Sequence, residues 1–112
     1  MIKLYGIPNC DTIKKARNWL KDNNIDYEFH DYKKQAVPEK ELISWVKKLG
    51  WETILNKRGT TWRKLDEKTK NSVTEESAIK IMLDNPSIIK RPVLVKKDLL
   101  LVGFKADEYS QL

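Results

Sequence analysis

The stretch Ile2-Lys3-Leu4-Tyr5-Gly6-Ile7-Pro8-Asn9-Cys10-Asp11-Thr12-Ile13 decides the fold. Ile2 and Leu4 alternate with Lys3, the pattern of a half-buried strand, and Gly6 and Pro8 punctuate it. A strand is predicted over residues 1–7. Ile13, Ala16, Trp19 and Leu20 then recur at helical spacing with basic residues between them. They predict a helix from Asp11 to Asp22 that stops at Asn23-Asn24. Tyr27 and Phe29 alternate with Glu28 and His30, a second strand near 26–32. Strand, helix and strand in this order make a βαβ unit with parallel strands and a right-handed connection.

Working outward, Pro38 precedes a helical face of Leu42, Trp45, Val46 and Leu49, which Gly50 breaks. A short helical turn is expected at Trp51–Leu55. The segment Asn56-Lys57-Arg58-Gly59-Thr60-Thr61-Trp62-Arg63-Lys64 is polar and basic, without clear periodicity. Thr74 reads as the N-cap of a helix carrying Ala78, Ile79, Met82 and Leu83, ended by Asn85-Pro86. Pro92-Val93-Leu94-Val95 is a buried-type strand that Pro92 can only begin. Lys96-Lys97-Asp98 turns it back into Leu99-Leu100-Leu101-Val102, a β-hairpin. A short helix is expected from Ala106 to Leu112. The fold class is therefore α/β, with a mixed sheet of about four strands. A helical insertion at about 36–86 separates the βαβ and ββα halves of a single domain spanning 1–112.

With 112 residues the chain can bury a core without staples. Its 40% hydrophobic and 34% charged residues describe an ordinary soluble globular chain. No apolar run approaches the ~20 residues of a membrane span, and no signal-peptide pattern opens the sequence. The single cysteine precludes an internal disulfide, so a cytoplasmic, reducing compartment is expected. The formal charge of +6 suits an anionic small molecule or an acidic protein surface, or reflects solubility alone. Nucleic acid is the weakest of the possible partners, because no dense basic run carries interleaved aromatics. One Cys and one His fall short of a zinc ligand set, so no metal is expected. No Gly-rich phosphate loop is present.

Cys10 is the residue with the clearest chemistry. A thiol at a strand-to-helix turn faces the free N–H groups and positive end of the helix dipole. Those favour the thiolate, the nucleophilic form. Lys14, Lys15 and Arg17 lie just downstream. The alternative is an inert, small core residue. The Thr12 hydroxyl reads either as an aid to the thiol or as a helix N-cap. Trp62 reads as a packing residue or a cover for the thiol, and His30 as a partly buried polar residue rather than a general base.

The element order, with a cysteine after the first strand, resembles the thioredoxin fold. Three segments carry a narrower resemblance. They are Leu4 to Arg17, Arg58-Gly59-Thr60-Thr61-Trp62-Arg63-Lys64-Leu65, and Arg91-Pro92-Val93-Leu94-Val95 followed by Gly103-Phe104. On these the chain resembles the arsenate-reductase-like family, which also contains the Spx regulators, and within it the YffB-type subgroup. The resemblance implies a glutathione-dependent thiol–disulfide reductase with Cys10 as nucleophile. It implies that Asn9, Thr12, Arg58, Arg91 and Pro92 hold the substrate or glutathione, with Pro92 in the cis form. Glutathione would be a co-substrate rather than a bound cofactor, and glutaredoxin a possible partner.

Two departures matter. Ile13 stands where a Cys-x-x-Cys motif has its second cysteine, so an oxidised Cys10 must be resolved by an external thiol. Of the three arginines that hold the oxyanion in arsenate reductases, Arg91 matches one. The other positions correspond to Asn56 and Phe104, which argues against arsenate, with Arg58 close by in sequence. Two alternatives follow from the same resemblance. One is an Spx-like transcriptional regulator binding the RNA polymerase α subunit. The other is an arsenate reductase with a rearranged cation set.

Overall fold

The computed structural model describes residues 1–112. In chain order its elements are β1 (Ile2–Gly6), α1 (Asp11–Asp22), β2 (Tyr27–Asp31), α2 (Glu39–Leu49), α3 (Trp51–Ile54), α4 (Thr60–Arg63), α5 (Glu67–Asn71), α6 (Glu75–Asp84), β3 (Val93–Lys96), β4 (Leu99–Val102) and α7 (Ala106–Tyr109). They fall into two compact units, one of Met1–Ala36 with Arg91–Leu112, the other of Val37–Lys90.

The first unit holds a four-stranded mixed sheet in the order β2-β1-β3-β4. β1 runs parallel to β2, with Leu4 opposite Phe29, and antiparallel to β3, with Leu4 opposite Leu94. β3 and β4 form the hairpin, with Leu94 opposite Leu101. Alternation along the strands sends Ile2, Leu4, Leu94 and Leu101 into one core with Ala16 and Leu20 of α1 and Tyr109 of α7. Trp19 meets the Tyr109 ring edge-on at 5.6 Å, and Phe104 does so at 4.8 Å. α1 stops where Asn23-Asn24 predicts. The Asn23 N–H and its side-chain amide both donate to the Trp19 carbonyl, at 3.1 and 2.8 Å, and Asn24 takes a left-handed φ of 55°.

The differences from expectation are local. β1 ends at Gly6 rather than residue 7, and β2 is trimmed to Tyr27–Asp31. Pro92 stands one residue ahead of β3, where its missing N–H leaves no ladder bond unmade. α7 closes at Tyr109, and the last residues form a turn in which the Ser110 hydroxyl donates to the Asp107 carbonyl at 2.6 Å.

In the second unit α2 packs against α6, and Leu55 bridges to Ile89. Gly50, at φ 88°, separates α2 from α3 as expected of a helix-stopping glycine. α4 and α5 are absent from the periodicity of the sequence. Each is about one turn long, too short for a repeating apolar face, and α5 is fixed by local chemistry instead. The Asp66 carboxylate accepts the Thr69 N–H at 2.7 Å, and the Thr69 hydroxyl together with this N–H holds its pKa below the ordinary carboxylate value. Thr74 caps α6 as predicted, in a reciprocal arrangement with Ser77. No helix is long and apolar enough to cross a membrane.

Candidate functional site

Cys10 is itself the N-cap of α1, with extended backbone at φ −125° and ψ 130°. Its carbonyl accepts the Lys14 N–H at 3.0 Å, the first bond of the helix, while its side chain makes no capping bond. The thiol is free and half-buried. Thr12 therefore lies inside the first turn and is not the N-cap, so its hydroxyl makes none of the capping bonds that reading required. Asn9 is exposed beside the thiol in sequence. Ile13 is wholly buried.

Gly6 is the point where the remaining parts of the first unit meet. A β-carbon there would run into the Ile13 side chain and stand 3.9 Å from Cβ of Arg91. The Gly6 carbonyl accepts the Tyr32 N–H at 2.9 Å. The Arg91-Pro92 bond is cis, as the resemblance implied. The Pro92 carbonyl accepts the Gly103 N–H at 2.9 Å, which ties the start of β3 to the end of β4. Arg91 and the α1 end bearing Cys10 thus share one end of the sheet, the carboxyl end of β1.

Two tyrosines escaped the sequence reading. Tyr5 and Tyr32 are both buried, and the Tyr32 hydroxyl has no hydrogen-bond partner. Burial pushes the Tyr32 phenol well above the ordinary tyrosine range. The Tyr5 phenol adds to this, and the Arg91 guanidinium opposes it. The cue in sequence was weak, because Tyr32 stands at the very end of the strand expected near 26–32, between the charged Asp31 and Lys33, and β2 itself stops at Asp31. His30 is partly buried between them, its ring centroid 5.1 Å from that of Tyr5 and 5.9 Å from that of Tyr32. Its Nε2 faces the carbonyls of Gln35 (2.7 Å) and Ala36 (2.9 Å). Carbonyls only accept, so Nε2 carries a proton there.

Arg58 belongs to the second unit, where it is exposed at the turn ahead of α4. Its N–H donates to Asn56 Oδ1 at 3.0 Å. Lys57 Nζ lies 5.1 Å from the Trp51 ring centroid and 5.7 Å from that of Trp62, so Trp62 is part of a cation–aromatic cluster. Phe104, at the second departed arginine position, is a packing residue against the core of the first unit.

The profile of the ArsC family matches residues 5–112. The chain belongs to the ArsC family. The structure of the YFFB protein superposes with a TM-score of 0.96 at 50% identity, covering 99% of this chain and 97% of that one. An arsenate reductase (ArsC)-related protein from Brucella melitensis gives 0.80 at 49% identity, covering 98% and 92%. The global transcriptional regulator Spx of Streptococcus pyogenes is 28% identical over 96% of this chain and 81% of its own length. The fold is thioredoxin-like, and the YffB-type resemblance read from the motifs stands.

Proposed function

We propose that this ArsC-family chain is a cytoplasmic, glutathione-dependent thiol–disulfide reductase that works through Cys10 alone. The observation that carries the reading is a free, half-buried thiol at a helix N-cap whose i+3 neighbour is a buried isoleucine. The Cys10 thiolate attacks one sulfur of a disulfide substrate. A Cys10–sulfur bond forms, the substrate S–S bond breaks, and the second sulfur leaves as a thiolate. Glutathione then attacks the mixed disulfide and restores the Cys10 thiolate, leaving the substrate sulfur bound to glutathione. A further glutathione, or a glutaredoxin, completes the reduction. Asn9, Thr12 and the Arg91-Pro92 backbone are the proposed contacts of the first unit, with the Arg91 guanidinium available to a carboxylate.

The test is mass spectrometry of the intact protein after exposure to oxidised glutathione. One glutathionyl group on Cys10, removed again by reduced glutathione, is the expected result. An unmodified chain would refute the reading. The Spx likeness supports a second reading, a regulator that binds the RNA polymerase α subunit. Retention of the chain on immobilised α subunit, with no Cys10 adduct formed, would favour it.

A further inference from the structure

Beside the turn that leads to Cys10, the first unit has a hollow of about 280 Å³ lined by Pro8, Arg17, Phe29, Asp31, Lys34 and Gln35. We propose that this hollow is an anion subsite for one carboxylate-bearing arm of the glutathione disulfide that Cys10 attacks. The proposal rests on the thiol-reductase reading above and assigns to it a contact outside the site residues that the resemblance implied.

Arg17 supplies the main argument. Its guanidinium carbon lies 4.4 Å from the Phe29 ring centroid, and its Nε donates to the Tyr27 hydroxyl at 2.9 Å. Stacking and this one bond hold the group while using a single N–H. The two terminal nitrogens keep their four N–H donors in the plane that matches a carboxylate. Arg17 makes no ion pair, and neither does Lys34 across the hollow.

The turn that carries Lys34 is equally well fixed. The N–H groups of Lys34 and Gln35 both donate to the Asp31 carbonyl, at 3.1 and 2.9 Å. Asp31 is the one anion in the lining. Its Oδ1 accepts the Lys33 N–H at 2.8 Å, so part of its charge is spent on the turn itself. Two cations facing one partly engaged carboxylate leave the hollow net positive. Pro8, which lines the hollow, stands two residues before Cys10 in the sequence. Its volume sits just below the ~300–1,000 Å³ of whole-ligand pockets, which suits one arm of a small peptide rather than all of it.

The step served is the exchange already written: Cys10 sulfur bonds to one glutathione sulfur, and the other glutathione leaves as its thiolate. The subsite changes only how well the anionic disulfide is positioned.

The experiment compares the second-order rates at which Cys10 reacts with oxidised glutathione and with cystamine, a disulfide of the same chemistry that carries amines and no carboxylate. Arg17→Gln and Lys34→Gln are each expected to slow the glutathione reaction about fivefold, within the range of a half-exposed charge-assisted contact. The cystamine rate should hold or rise. Lys97→Gln, at the hairpin turn, should change neither. Equal slowing of both disulfides would overturn the subsite, because the variants would then be acting on the thiol. An unchanged glutathione rate would overturn it too. Lys34 is exposed, so its variant keeps the test decisive even if Arg17→Gln fails to fold. If wild-type Cys10 reacts with neither disulfide, the reductase reading falls and the subsite falls with it. If it reacts with both at a ratio that no variant alters, only the subsite falls.

Discussion

Ile13 fills the space above Gly6 that a β-carbon would otherwise occupy. This contact sets how closely α1 can settle on the end of β1, and so where the cysteine at the helix start comes to rest. At the i+3 position, where a Cys-x-x-Cys motif would carry its resolving thiol, the chain has this packing side chain instead. That side chain is wholly buried and acts as part of the packing.

Gly6→Ala should therefore destabilise the protein by about 1–3 kcal/mol, the usual cost of overpacking a filled core. Chemical denaturation followed by tryptophan fluorescence would read it. An unchanged midpoint would show that the Ile13 side chain moves aside freely.

Cys10→Ser should leave thermal stability close to that of the parent, because the cysteine side chain makes no capping bond and a serine hydroxyl is a good N-cap. Covalent labelling by oxidised glutathione should vanish entirely. Labelling that persisted could not come from a thiol, since the chain has no other cysteine.

Stability should fall steeply in alkali. Burial raises the phenols of both Tyr32 and Tyr109 far above their ordinary value of 10.0. Above that pH the unfolded chain gives up these protons while the folded chain keeps them. The unfolded state then binds fewer protons, and stability declines as pH rises. The contribution is complete below about pH 10. A Tyr32→Phe, Tyr109→Phe double variant should lose less stability between pH 9 and about 11 in urea titrations. A parallel loss in variant and parent would assign the alkaline transition to other groups.

Arsenate turnover in the presence of glutathione and glutaredoxin should be at least about 100-fold slower than exchange with oxidised glutathione. Two of three expected cations are missing, and each charge-assisted contact contributes roughly 1.5–3 kcal/mol. Phe104 packs edge-on against Tyr109, so an arginine substituted there would have to leave the core to reach an anion. Comparable rates for the two substrates, in a coupled assay, would reverse this assignment.

Long-range order was legible wherever an apolar period ran for several residues. Ile13, Ala16 and Leu20 marked α1, and Ile2 and Leu4 marked β1, because each pattern spans enough of an element to repeat. α4 and α5 were not legible, since a single turn has no period to show. The cis bond at Arg91-Pro92 came from family resemblance alone. Arg17 was read only as a nearby positive charge. Its seat on Phe29 depends on how α1 crosses β2, and spacing along one helix says nothing of that. Tyr32 was missed because its burial is imposed by the assembled fold, and its own neighbours in sequence are charged.

Leu4 and Leu94 are partners in the sheet although about 90 positions separate them. Closing a flexible loop of that length costs on the order of 4 kcal/mol before any constant is added. During synthesis the ribosome must therefore release most of the chain before β1 can gain its inner neighbour. Until then the nascent βαβ segment carries an open edge beside Leu4, the kind of edge that invites pairing with other chains. Helix formation within Val37–Lys90 ahead of that closure would shorten the effective loop and lower its entropic cost.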